Sequence, residues 1–142
     1  MANIIGIDLG TTFCAVAMLD DNGRPVIVPN DDGINITPSV VEFTSKDSYI
    51  IGDEAKKMVG VSKNIVPQEV NDEAKRHIGN PDKIYEFFGE KHTPVSISAL
   101  ILKKIKEDVE KVHGPIDSAV VTVPANFANE EREATAEAAN LA

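Results

Sequence analysis

Residues 5–12 read IGIDLGTT, and here residue types and spacing combine into a possible chemical device. Gly10 frees the backbone at a turn, so that successive N–H groups and the hydroxyls of Thr11 and Thr12 can wrap phosphate oxygens. Asp8, at the end of the apolar run just before, would face the same spot. A carboxylate beside a phosphate repels it unless a cation lies between them. Asp8 therefore implies Mg2+, held directly or through its waters. The same residues also suit a plain hairpin turn, where Gly and Thr are common. The chain contains neither G-x-x-x-x-G-K-[ST] nor G-x-G-x-x-G, so any phosphate site is of a type other than a P-loop or a dinucleotide fingerprint.

The elements around this turn follow from local patterns. Residues 3–9 and 12–19 read as two strands joined at the turn, and Asp20 to Gly23 is a second turn signal after which residues 25–28 add a third strand. The opening is thus expected to be an antiparallel sheet. A turn-rich stretch from Pro29 to Pro38 leads to a strand at 39–44, with which residues 49–51 can pair. Residues 52–59 suggest a short helix with Asp53 near its start and Gly60 past its end. Residues 69–78 suggest a second helix ending at Gly79 and Pro81, and residues 85–88 a brief strand. The longest helix is expected over about 98–113, stopped by Gly114-Pro115, with Ile101, Ile105, Val109 and Val112 as its core stripe. Residues 118–123 form a nearly unbroken apolar run, which predicts a strand in the sheet interior, covered on both faces. Asn129, followed by Glu130, Glu131 and Glu133, opens a last alanine-rich helix with a capping side chain and an acidic first turn. That pattern is still running at Asn140-Leu141-Ala142, so the sequence reads as a truncated domain.

Composition narrows the classes. The 142 residues are 42% apolar, enough to fill a core. Fourteen basic against 23 acidic residues give a formal charge of −9, which repels nucleic acid and anionic lipid unless basic residues cluster. Lys103, Lys104 and Lys106 are offset by Glu107, Asp108 and Glu110 and read as a solvated helix face. Cys14 cannot form an internal disulfide and reads as small apolar filler. His77, His92 and His113 lack metal-ligand spacing and are expected at the surface. No apolar run is long enough to span a bilayer, and the first residues carry no basic n-region or cleavage site, so a reducing, cytoplasmic setting is the default.

IGIDLGTT resembles the first phosphate motif of the actin-like ATPase superfamily, which includes sugar kinases, actin-like filament proteins and DnaK-type chaperones. Four further segments narrow the resemblance: NDDGINITPSVVEF at 30–43, IGDEAKKM at 51–58, EAKRHIG at 73–79 and VVTVPANFANEEREAT at 120–135. All are similar, in order, to the heat-shock protein 70 (DnaK-type) chaperone family, and together they span nearly the whole chain. Neither a sugar kinase nor a filament protein accounts for TPSVVEF and VTVPANF together.

The resemblance implies an α/β actin-like, ribonuclease H-like ATPase fold, of which this chain holds the first half as a mixed sheet with flanking helices. Residues of about 1–39 and 114–142 would form an inner lobe and about 40–113 an outer lobe. It implies ATP or ADP with Mg2+ as ligands, Gly10, Thr11, Thr12 and Phe13 on the phosphates, and Asp8 at the metal. Lys75 would reach the γ-phosphate and orient the attacking water, and Thr11 would share in catalysis. Pro124 and Arg132 would relay nucleotide state to a substrate-binding domain. Unfolded polypeptide, a J-domain co-chaperone and a nucleotide exchange factor are the implied partners, and the fragment alone is expected to be inactive. Two departures mark a diverged branch. Phe13 stands where the family usually has tyrosine or an amide-bearing residue and Asn126 where it usually has tyrosine, and the segment between Gly79 and Pro94 is shortened.

Overall fold

The computed structural model describes residues 3–9, 13–59, 61–66, 84–122 and 129–142. Strands β1 (Ile4–Leu9) and β2 (Phe13–Leu19) form an antiparallel pair on either side of residues 10–12, in register from Ile5 opposite Met18 to Leu9 opposite Cys14. Alternation sorts their side chains: Ile5, Ile7, Leu9, Cys14 and Val16 are buried on one face, whereas Ile4 and Asp8 on the other are exposed. Strand β3 (Pro25–Ile27) continues the meander as expected. The intervening turn is held by Asp20, whose Oδ1 accepts from the N–H groups of Asn22 at 2.8 Å and Arg24 at 2.9 Å.

The turn-rich stretch before Pro38 conceals a further strand, β4 (Ile36–Pro38), which pairs with the start of β2 and places Pro38 opposite Phe13. The 39–44 run narrows to β5 (Val41–Phe43), which pairs with β6 (Tyr49–Ile51) as expected and on its other side with β7 (Ile65–Val66), which the sequence pattern did not suggest. Helix α1 (Asp53–Lys56) is a single turn, shorter than expected. Strands β8 (Tyr85–Phe87) and β9 (Glu90–His92) form a hairpin whose tip, Phe88-Gly89, has φ of 53° and 77°. Positive φ at both tip residues matches the right-handed twist of the flanking strands, and at Phe88 it is an unusual conformation for a side chain of that size. The helix expected at 69–78 lies outside the described residues.

Helix α2 (Pro94–His113) begins four residues earlier than the stripe alone suggests. Its start is a reciprocal cap: Thr93 Oγ1 accepts from the Ser96 N–H at 3.1 Å, and Ser96 Oγ accepts from the Thr93 N–H at 2.8 Å, with Pro94 in the first turn. Ile97, Ile101, Leu102, Ile105 and Val109 join the strand residues Ile5, Ile7 and Leu9 in one buried cluster. Each such side chain contributes roughly 1.5–3 kcal/mol by leaving water. Val112 does not join them and is 75% exposed. It sits in the last turn, next to His113, whose carbonyl accepts from Asn3 Nδ2 at 2.9 Å. Helix α3 (Asn129–Leu141) packs on α2 and adds Ala138 to the cluster; the Asn129 side chain lies outside the described set.

Strand β10 (Ser118–Thr122) runs parallel to β1, which makes the five-stranded sheet mixed, in the order β10-β1-β2-β3 with β4 also on β2. The expectation that β10 is interior is corrected. Among the described residues it is an edge strand, and Val120 is 64% exposed. An apolar strand records what it can bury rather than what covers it, and α2 and α3 lie on the opposite face, with Ile5 and Ile7. His92 also departs from expectation: it is half-buried, with its ring centroid 4.3 Å from that of Phe43. Among the described residues, no helix is long and apolar enough to cross a membrane.

Candidate functional site

The β1–β2 pair brings Asp8 and Phe13 to the two flanks of residues 10–12. Asp8 is exposed at the end of β1, with Ala15 of β2 on one side and Thr122 of β10 on the other. The Thr122 hydroxyl lies 3.0 Å from Asp8 Oδ1 and donates to it, while approaching the Ile7 carbonyl at 3.5 Å. Alternation along β1 explains the placement: Ile7 and Leu9 point into the core, so Asp8 between them must face out.

On the other flank, Phe13 is half-buried and the ammonium of Lys56 lies 5.2 Å from its ring centroid. This is cation–π range, worth about 0.5–1 kcal/mol near a surface. Lys56 belongs to α1, which reaches this position through a close approach of backbones. Gly52, ahead of the helix, has φ of 97°, its N–H donates to the Val40 carbonyl at 3.1 Å, and a Cβ there would meet Thr37 Cγ2 at 3.3 Å. The left-handed φ and the crowding both favour glycine. Sequence reasoning did not single out Lys56. The signal was its place in IGDEAKKM, but a helix lysine is ordinarily a solvated surface charge.

Asp8 and Phe13 thus stand on either side of residues 10–12 in sequence, and Lys56 of α1 lies over the Phe13 ring. Of the other sequence-predicted residues, Arg132 is exposed on α3. Gly10, Thr11, Thr12, Lys75 and Pro124 lie outside the described residues. Cys14 is buried, with Sγ 3.2 Å from Ser39 Oγ, in keeping with a core filler. The solvated face of α2 carries the expected pairs, Lys103 with Glu107 at 4.0 Å and Lys106 with Glu110 at 3.9 Å. The third pair differs: Asp108 is 5% exposed and accepts from Lys104 Nζ at 2.8 Å.

A mixed sheet packed against helices, with an outward carboxylate at the end of β1, defines an α/β protein. The model of the Hsp70 protein family matches residues 4–85 and 82–142. The chain belongs to the Hsp70 family of chaperones, and its fold is the actin-like ATPase fold of that family.

Proposed function

We propose that this chain forms one wall of a Mg-ATP cleft in an ATP-dependent chaperone that couples hydrolysis to binding and release of unfolded polypeptide. The observation that carries the reading is the exposed Asp8 carboxylate beside the 10–12 turn, in a chain matched to the Hsp70 family almost throughout. Mg2+ keeps most of its waters and takes one or two carboxylates plus substrate phosphates. A single exposed carboxylate at a strand end, oriented by one hydroxyl, suits that mode of binding. Asp8 would hold the ion, and the ion would neutralise charge on the phosphates.

The remaining roles belong to this chain's own groups. Backbone N–H groups of Gly10 to Phe13 and the hydroxyls of Thr11 and Thr12 bind phosphate oxygens. Lys75 stabilises charge on the transferring phosphoryl group and orients the attacking water, with Thr11 assisting. Residues of about 1–39 and 114–142 act as an inner lobe and about 40–113 as an outer lobe, whose relative movement a bridging nucleotide biases. Pro124 and Arg132 carry that bias toward a substrate-binding domain. A J-domain co-chaperone would stimulate hydrolysis, an exchange factor would release ADP, and the setting is cytoplasmic. Residues 1–142 alone bind nucleotide weakly and turn it over negligibly.

The decisive test is Lys75→Ala in the full-length protein. Single-turnover hydrolysis should fall by at least about a hundredfold while Mg-ATP affinity stays within a few-fold, because a transition-state charge is removed and the main cradle kept. Turnover within a few-fold of wild type would remove Lys75 from the mechanism. An intact protein that fails to bind ATP with the metal supplied would end the reading altogether.

A further inference from the structure

The turn between β2 and β3 carries a chemistry of its own. Asn22-Gly23 is the only Asn-Gly step in the chain, and both residues are exposed there. Among the described residues nothing holds the Asn22 carboxamide, and it is the backbone N–H of Asn22 that bonds to Asp20 Oδ1. Other asparagines are held or obstructed. Asn30 Oδ1 accepts from the N–H groups of Asp32 and Ile34, Asn30 Nδ2 donates to Thr37 Oγ1, and Asn3 Nδ2 donates to the carbonyls of His113 and Pro115. Asn35 and Asn64 precede isoleucine, whose branched side chain crowds the peptide nitrogen that follows the asparagine. Gly23 has no side chain to crowd its nitrogen, and even a Cβ built on it would meet nothing within 4 Å.

An asparagine so placed is open to attack by the next backbone nitrogen. The Gly23 nitrogen gives up its proton to hydroxide and forms a bond to Asn22 Cγ. The bond from Cγ to Nδ2 then breaks, and the amide leaves as ammonia after taking a proton from water. The product is a five-membered cyclic imide. Water opens it at one carbonyl or the other, which leaves either aspartate or isoaspartate at position 22. No oxidant, metal or second protein enters the balance.

The structure also supplies a restraint. The Gly23 N–H donates to the Asp20 carbonyl at 2.9 Å, so its nitrogen is engaged while the turn is closed. Asp20 closes it from both sides, since its N–H donates to the Arg24 carbonyl at 2.8 Å and its Oδ1 accepts from the N–H groups of Asn22 and Arg24. Attack must therefore wait for the turn to open.

We propose that Asn22 is a site of spontaneous modification, converted through a cyclic imide to aspartate and isoaspartate, with Asp20 as the clamp that sets the rate. Either product places a further negative charge beside Asp20 and Asp21. Isoaspartate also lengthens the main chain in the connection that holds β3 on β2, with Leu19 opposite Pro25. The site is independent of the nucleotide reading.

The test is to incubate the chain in mildly alkaline buffer and map its peptides over time by mass spectrometry, with chromatography that separates aspartate from isoaspartate. Asn22 should convert ahead of every other asparagine, and Asn22→Gln, whose longer side chain closes a less favoured ring, should lose the conversion. Asp20→Ala should speed conversion by about tenfold, because hydrogen bonds to a charged acceptor are among the stronger ones. The unaltered chain unfolded in urea should also react faster than the folded chain. Conversion of a different asparagine ahead of Asn22 would overturn the site. An unchanged rate in a folded Asp20→Ala chain, or equal rates with and without urea, would overturn the clamp.

Discussion

The hydroxyl of Thr122 donates to Oδ1 of Asp8 across 3.0 Å, joining side chains 114 positions apart in sequence. The bond exists because β10 lies parallel to β1 with Thr122 directly opposite Asp8. An edge strand thereby fixes the orientation of the carboxylate beside the turn. In the Mg-ATP reading, that orientation is what a hydrated cation meets.

Removing either partner separates charge from orientation. Asp8→Asn should weaken Mg-ATP binding to the full-length protein by at least about tenfold and leave metal-free ATP binding nearly unchanged, because only the cation's anchor is lost. Thr122→Val keeps the carboxylate but frees its rotamer, with an expected loss of only a few-fold. Stability should change by no more than about 1 kcal/mol in Thr122→Val, the net worth of a partly exposed hydrogen bond. Calorimetry with and without Mg2+ checks the first pair of values and urea unfolding the last. An Asp8→Asn protein that binds Mg-ATP as tightly as wild type would detach Asp8 from the metal.

The Lys56–Phe13 contact is measurable as a coupling. A double-mutant cycle of Lys56→Ala and Phe13→Leu, read by urea unfolding, should return an interaction of about 0.5–1 kcal/mol, and high salt should leave most of it intact because the pair is partly sheltered. Strict additivity of the two single variants would show that α1 and the turn flank are neighbours without being energetically linked.

How far this could be seen beforehand depended on whether the signal was local. The β1–β2–β3 meander was legible because alternation, the DDNG turn and the short connection all act within a few residues. The outward carboxylate of Asp8 was legible too, since it alternates with Ile7 and Leu9 in one short strand. Strand β4 was hidden because Ile36-Thr37-Pro38 is too short and too rich in turn residues to carry a period. The edge position of β10 and the exposure of Val112 were misjudged for one reason: side-chain type states what a residue can bury, whereas the covering layer comes from distant sequence. Lys56 escaped notice for the same reason, as only folding brings it over Phe13. His92 is the sharpest case, because nothing in EKH indicates that Phe43 and Phe87, one of them nearly fifty residues away, will enclose an imidazole.

The start of α2 is set by side chains that the apolar stripe ignores. Thr93→Ala removes the oxygen that accepts from the Ser96 N–H and breaks the reciprocal pair. A loss of about 1 kcal/mol is expected in urea unfolding, with Thr93→Ser restoring most of it, since serine supplies the same acceptor. If Thr93→Ser were as destabilised as Thr93→Ala, the contribution would come from the methyl group and the cap would be energetically idle.

His92 gives the fold a pH dependence whose sign follows from its surroundings. Burial among aromatic rings lowers its pKa below 6.5, a shift that the negative charge of Glu90 opposes only in part. Unfolded chains therefore take up a proton as pH falls through about 6.5, whereas the folded chain takes it up only at lower pH. Between those two values the unfolded state binds more protons, so stability declines as pH drops; the contribution is complete above pH 6.5 and gone below the folded pKa. Urea midpoints measured from pH 7.5 to 5 should fall more steeply in the unaltered chain than in His92→Phe, which cannot titrate at that position. Parallel pH profiles for the two proteins would mean that the imidazole is as well solvated in the folded state as in the unfolded one, contrary to its contacts with Phe43 and Phe87.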